Sequence, residues 1–148
     1  MKRAPASHTQ ILLIDDNRDG LLVRRLLLQE IGFDVEVAAT GEEGLNLCAN
    51  GRFDVVVTDY RMPKMNGTDF IERLRKLDGK VRVILLSGFV EPLGLTEENT
   101  GADAVIAKTS NEVAHLTHWV KRLANQPHRK PAASQKRFGG GASDASVR

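Results

Sequence analysis

The sequence predicts an α/β fold, with five parallel strands in one sheet and helices on both of its faces. Five short apolar runs recur along the chain: "QILLI" (10–14), "DVEVA" (34–38), "DVVVT" (54–58), "RVILL" (82–86) and "AVIA" (104–107). Longer stretches with apolar residues at helical spacing separate them. Nothing repeats at a fixed internal period, which excludes solenoids and propellers. Successive β-α units with right-handed crossovers make the strands parallel and distribute the helices over both faces.

The first run, Ile11 to Ile14, does not alternate, so it reads as a strand buried on both sides. The helix after it spans Arg18 to Ile31, with Leu22, Leu26 and Ile31 among its inward positions and Gly32 as its stop. Thr40-Gly-Glu-Glu43 reads as a capping box, so a second helix begins at Gly41 and ends near Asn50-Gly51. A third runs from Thr68 to Leu77, with Phe70, Ile71 and Leu74 at core spacing. After "LLSG", Pro92, Gly94 and Gly101 punctuate the chain, and the fourth helix is expected to be short or irregular. Thr109-Ser-Asn-Glu112 reads as another capping box, opening a fifth helix with Val113, Leu116, Val120 and Leu123 on one stripe.

The chain has 148 residues, 41% of them hydrophobic and 27% charged, values of a globular domain. From Gln126 onward Arg129, Lys130, Lys136, Arg137 and Arg148 stand against Asp144 alone, so the tail is basic and the body mildly acidic. An acidic body argues against nucleic-acid binding. No apolar run is long enough to span a bilayer, and "MKRAPASHTQ" lacks the apolar core of a secretory signal, so a cytoplasmic protein is expected. The single cysteine, Cys48, excludes an internal disulfide and reads as a small core residue. His8, His115, His118 and His128 show no metal-ligand spacing and read as surface residues, while Met62 and Met65 read as loop packing.

In doubly wound sheets, sites lie beyond the C-terminal strand ends. Those ends carry Asp15 and Asp16, then Thr58 and Asp59, then Ser87 and Gly88, then Lys108. Three carboxylates from two strands repel one another unless a cation joins them. Oxygen-only ligands select a hard ion, and Mg²⁺ fits because it takes one or two carboxylates and keeps several waters. With Lys108 and the Ser87 hydroxyl added, the group is equipped to hold a phosphoryl group that Asp59 accepts. Taken singly, Asp15 and Asp16 also read as caps of the first helix, Asp59 as a solvated strand end and Lys108 as a surface lysine.

The pieces "LLIDDN", "VVVTDYRMPKMNG", "ILLSG" and "AVIAK" resemble the receiver domain of two-component response regulators over roughly the first 125 residues. That resemblance implies the flavodoxin-like doubly wound five-stranded sheet, order 2-1-3-4-5, with five helices. It divides the chain into a flexible N-terminus (1–8), the receiver domain (9–125) and a disordered basic tail rich in Gly, Ser and Ala (126–148). It implies that Asp59 is the phosphoacceptor and that Asp15, Asp16 and Asp59 hold Mg²⁺ with the backbone carbonyl of Arg61. Lys108 pairs with the phosphoryl oxygens, and the Ser87 hydroxyl moves toward them. The implied partners are a sensor histidine kinase or histidine phosphotransfer protein and a downstream protein. The tail is too short for a DNA-binding output domain, so a single-domain regulator is expected; a receiver segment of a longer regulator or hybrid kinase, or a phosphorelay intermediate, is the alternative.

Two positions depart from the family. Val105 stands where the switch aromatic usually lies, so ring rotation is not the readout, and Thr109 replaces the proline that usually follows the lysine, which favours a trans Lys108–Thr109 peptide. The loop "GFVEPLG" is then expected to carry the switch. Trp119 reads either as part of the surface a partner recognises or as partly buried in the core. By resemblance, Arg61 and Phe89 flank the water path to the phosphoryl group, and Phe89 reads equally as core packing at a loop. An aspartate-nucleophile phosphatase is a rival, but Arg61 stands where such enzymes place their acid. A phosphorylation-independent binding module is another, but this chain keeps the acidic pair, the acceptor and the lysine.

Overall fold

A computed structural model describes residues 9–88, 93–109 and 111–126. It contains one five-stranded parallel sheet in the order β2-β1-β3-β4-β5. The strands are β1 (Gln10–Ile14), β2 (Asp34–Ala38), β3 (Val55–Asp59), β4 (Arg82–Ser87) and β5 (Ala104–Ala107). The helices are α1 (Arg18–Ile31), α2 (Gly41–Asn50), α3 (Gly67–Leu77), the four-residue α4 (Glu97–Thr100) and α5 (Glu112–Ala124). The predicted doubly wound fold and strand order are thus observed.

The continuous apolar strands feed two separate cores, because successive side chains point to opposite faces. Ile11, Leu13, Val55, Val57, Ile84 and Leu86 pack with Leu21 and Leu28 of α1 and Leu116, Val120 and Leu123 of α5. Leu12, Ile14, Val56, Val83 and Leu85 pack on the other face with Phe70, Ile71 and Leu74 of α3. Cys48 packs against that second core, where burial above all pushes its thiol up to about 11, as suits a packing residue. Met62 and Met65 are buried in the same cluster, and His115 and His118 lie exposed, as expected.

Side-chain caps start the first three helices: Asn17 accepts from Gly20 N, Thr40 from Glu43 N and Asn66 from Asp69 N. The Glu43 carboxylate reaches back to Ala39 N, closing the box one residue further upstream than the usual pattern. Gly32 ends α1 at φ 118°, a left-handed position that glycine takes without strain.

The structure corrects three expectations. Leu22, Leu26 and Ile31 do not face inward: they are 53%, 56% and 38% exposed, and the buried face of α1 is Leu21, Arg24 and Leu28. The helix is leucine-rich on several sides, and an arginine occupies the middle of its true core stripe. The second capping box does not form: the Thr109 hydroxyl accepts from Asn111 N, and α5 begins at Glu112 with no side-chain cap. The Glu112 carboxylate is bound instead to Arg24. Val113 is exposed, so the inward stripe of α5 starts at Leu116. Trp119 is half-buried against the first core, with the Arg122 guanidinium 5.2 Å from its ring centre.

Candidate functional site

Strand register builds the site. Ile14 pairs with Thr58, so Asp15 and Asp59 leave adjacent strands at the same level, at the point where the chain switches from one side of β1 to the other. Asp59 pairs with Leu86 and Ser87 pairs with Ala107, which brings Ser87 and Lys108 to the same edge. The result is an open cleft of about 530 Å³ lined by Asp15, Asp16, Asn17, Asp59, Arg61, Met62, Pro63, Ser87, Gly88 and Lys108. Asp15, Asp16, Asp59, Arg61, Ser87 and Lys108 therefore converge on one cleft.

Carboxylate oxygens of Asp15, Asp16 and Asp59 lie within 4.8 Å of one another. Asp15 and Asp59 are buried, at 2% and 5% exposure, and Asp16 is open to solvent. Asp15 Oδ1 accepts from Asn17 N at 3.0 Å, while Oδ2 faces Arg24 Nη1 at 3.0 Å and Lys108 Nζ at 3.7 Å. Asp59 Oδ2 accepts from Arg61 N at 3.2 Å, and Oδ1 pairs with Lys108 Nζ. Burial holds the Asp59 carboxyl above the usual carboxylate range. The Lys108 ammonium bonded to it opposes that shift, and the Asp15 charge adds to it. Among the described residues, Lys108 and Arg24, the latter shared with Glu112, form the ion pairs to this group, so three carboxylates outnumber the cations paired with them.

The loop from Tyr60 to Asn66 returns the chain from β3 to α3 in a tight path. A Cβ at Gly67 would lie 2.8 Å from the Asp59 carbonyl oxygen and 2.9 Å from Tyr60 Cα, so only glycine lets α3 start against the strand that carries Asp59. Lys64 sits at φ 69°, a left-handed conformation uncommon for a side-chain-bearing residue. Ser87 is buried and its carbonyl accepts from Lys108 N at 2.9 Å, while a Cβ on Gly88 would meet nothing within 4 Å among the described residues. The Lys108–Thr109 peptide is trans, as the missing proline led us to expect. Val105 is half-buried in the second core, and its N–H donates to Glu97 Oε2 of α4 at 3.1 Å. Phe89 and most of the "GFVEPLG" loop, like residues 1–8 and the tail from Pro127 on, lie outside the described residues.

Arg24 and Glu112 were missed in the sequence. The available signal was Gly20, a glycine inside a helix four residues before an arginine that interrupts a leucine stripe.

Comparison with known proteins agrees with this geometry. The family described as the response regulator receiver domain matches residues 11–121. A gliding motility regulatory protein of Myxococcus xanthus is 33% identical over 128 residues, covering 82% of this chain but 16% of that protein. The chain likewise spans 33% and 56% of the length of two other curated relatives. Sporulation initiation phosphotransferase F of Bacillus subtilis is 30% identical over 116 residues, 76% of this chain and 81% of that one. Among solved structures, the response regulator protein TrrA of Thermotoga maritima, in complex with Mg²⁺ and BeF, superposes with a TM-score of 0.70 at 29% identity, covering 78% of this chain and 98% of that one.

Proposed function

The chain belongs to the response regulator receiver domain family, and on that footing we propose that Asp59 accepts a phosphoryl group from a histidine kinase or a histidine phosphotransfer protein. The reaction depends on Mg²⁺, and the change that follows is read by a partner protein. Members of this family are phosphoaccepting regulatory domains rather than classical enzymes. The observation that carries the reading is the surplus of buried negative charge at one strand-end cleft, with Lys108 Nζ already paired to Asp59 Oδ1.

The donor set fits Mg²⁺. Three carboxylates within 4.8 Å offer hard oxygen ligands and nothing softer. Asp16 and Asp59 would hold the ion, with Asp15 beside them and the Arg61 backbone carbonyl completing the protein's share. When bound, it supplies positive charge to the phosphoryl oxygens.

The rest is done by the chain's own groups. An Asp59 carboxylate oxygen attacks phosphorus; the new O–P bond forms as the P–N bond to the donor imidazole breaks, and the electron pair leaves with the imidazole. Lys108, freed from its full pairing with Asp59, neutralises a phosphoryl oxygen, and the Ser87 hydroxyl donates to another. With Arg61 in place of an acid two residues after Asp59, no general acid stands ready to turn the site into a phosphatase. The same chemistry serves a single-domain regulator, a phosphorelay intermediate or the receiver segment of a longer protein.

Incubation with a small acyl phosphate, with and without Mg²⁺, followed by intact mass measurement, tests the reading. A single persistent phosphoryl adduct that requires Mg²⁺ is expected. Repeated turnover of the acyl phosphate would favour a phosphatase, and no adduct would leave a binding module of receiver shape.

A further inference from the structure

α1 carries a charge in the middle of its core face. Arg24 stands between Leu21 and Leu28 in the buried stripe and is 8% exposed. A buried guanidinium is costly unless its donors are taken up by opposite charge. Here the two ends of the guanidinium serve two elements. Nη1 donates to Asp15 Oδ2 at 3.0 Å, and Nε and Nη2 both reach Glu112 Oε2 at 2.8 Å. Glu112 is the first residue of α5 and does not line the cleft. The helix also makes space for this arrangement. A Cβ on Gly20 would lie 3.2 Å from Arg24 Nη1, closer than a side chain comfortably packs, so glycine is kept at a helical position where alanine would be the better helix former.

We propose that Arg24 is a positioning residue that couples occupation of the acidic cleft to the first turn of α5 by sharing one guanidinium between Asp15 and Glu112. The inference rests on the reading of the cleft as a cation and phosphoryl site. A cation entering the cleft competes with Arg24 for the charge of Asp15. As Arg24 loses its hold on Asp15, its pair with Glu112 tightens, and the first turn of α5 is held more firmly. Linkage makes the effect reciprocal: whatever Glu112 takes from Arg24 is relieved from Asp15, so an intact Glu112 favours cation binding. The route uses no aromatic switch, which this chain lacks at Val105, and it runs across the α1–α5 face of the sheet.

The test is a titration with Mg²⁺ alone, followed by amide NMR on the full chain, which reports the dissociation constant from cleft amides and the response of α5 in one experiment. Glu112→Gln keeps the shape of a partly exposed side chain and removes only its charge. It leaves Arg24 wholly to Asp15 and is expected to weaken Mg²⁺ binding by about fivefold, within the usual range of coupling between sites. The same variant is expected to lose the Mg²⁺-induced shifts at Val113 to Leu116. In an Arg24→Met background, Glu112→Gln is expected to change neither quantity, because the route has been removed. Two results overturn the proposal: an Mg²⁺ affinity unaltered by Glu112→Gln, or a weakening that persists undiminished in the Arg24→Met background. A wild-type protein that binds no Mg²⁺ would overturn the reading of the cleft itself, and this coupling with it.

Discussion

Each end of the sheet is tied by a partly or fully buried arginine, and the two are balanced differently. At the N-terminal end, Arg75 of α3 donates to the carbonyls of Val81 and Gly101 and pairs with Asp103 at 3.1 Å. One carboxylate meets one guanidinium there, and Asp103 also accepts from Val83 N at 2.8 Å, which fixes the loop before β5 to the start of β4. Asp34 and Asp54, also at that end, are exposed and accept from Gln10. At the C-terminal end, Asp15, Asp16 and Asp59 crowd one cleft, where Lys108 pairs with Asp15 and Asp59 and Arg24 with Asp15. At the first end a guanidinium meets a carboxylate, whereas at the second three carboxylates outnumber the cations paired with them, an excess that the proposed cation and phosphoryl chemistry would use. The difference contrasts an ion pair that fits a role in stability with a carboxylate cluster that fits the proposed chemistry, in a fold that uses similar residues for both.

The largest effect should come from the acceptor. Asp59→Asn is expected to reduce phosphoryl uptake from a small acyl phosphate to background, since an amide oxygen is too weak a nucleophile, while circular dichroism stays that of a folded protein. Uptake at normal yield in the variant would break the assignment of the unbalanced end. Next in size is Arg75→Met, expected to cost about 2–3 kcal/mol of stability in urea unfolding, below the full penalty for a wholly buried pair because this one is partly exposed. The same variant should leave Mg²⁺ affinity unchanged. A tenfold loss of affinity would show that the two ends are not independent.

Magnesium should stabilise the wild type by mass action, by about 1.4 kcal/mol at ten times its dissociation constant. Asp16→Ala is expected to remove most of that gain in a thermal melt, and Asp15→Ala to act more through the ion's water shell. A melting temperature indifferent to Mg²⁺ in the wild type would contradict the charge-surplus account. The smallest effect is on pH dependence. Burial raises the folded-state pKa of Asp59 above its unfolded value, so the native state binds this proton more tightly. In chelator, the contribution of this group to stability therefore rises as pH falls through the folded pKa and declines as pH climbs through it. Asp59→Asn should then melt above wild type at neutral pH, with the gap closing on acidification. A variant melting below wild type at neutral pH would mean that the Lys108 ion pair outweighs burial.

The sheet and the cleft were legible because their signals are local. A run such as Ile11 to Ile14 says strand without reference to anything distant, and a polar residue directly after each run falls at a strand end once the sheet is parallel. The helix faces were less legible. α1 carries leucines at 21, 22, 26, 27 and 28, which fit more than one inward face, and Arg24 rather than a leucine occupies the middle of the buried stripe. That choice is made by Asp15 and Glu112, the second of which lies 88 residues away in sequence. The same distant pair explains why the Thr109 capping box failed: Glu112 is taken by Arg24 and cannot turn back on its own helix. α5 starts at Glu112, two positions after the Ser110 start that box would have set, and Val113 in its first turn is exposed.

The most direct test of the central claim locates the phosphoryl group. After reaction with an acyl phosphate and Mg²⁺, borohydride reduction converts an aspartyl phosphate to homoserine, and peptide mass mapping identifies the residue changed. The charge-surplus account predicts conversion at Asp59 alone, lost when Mg²⁺ is chelated. Conversion at Asp15 or Asp16, or at no residue in the cleft, would contradict it.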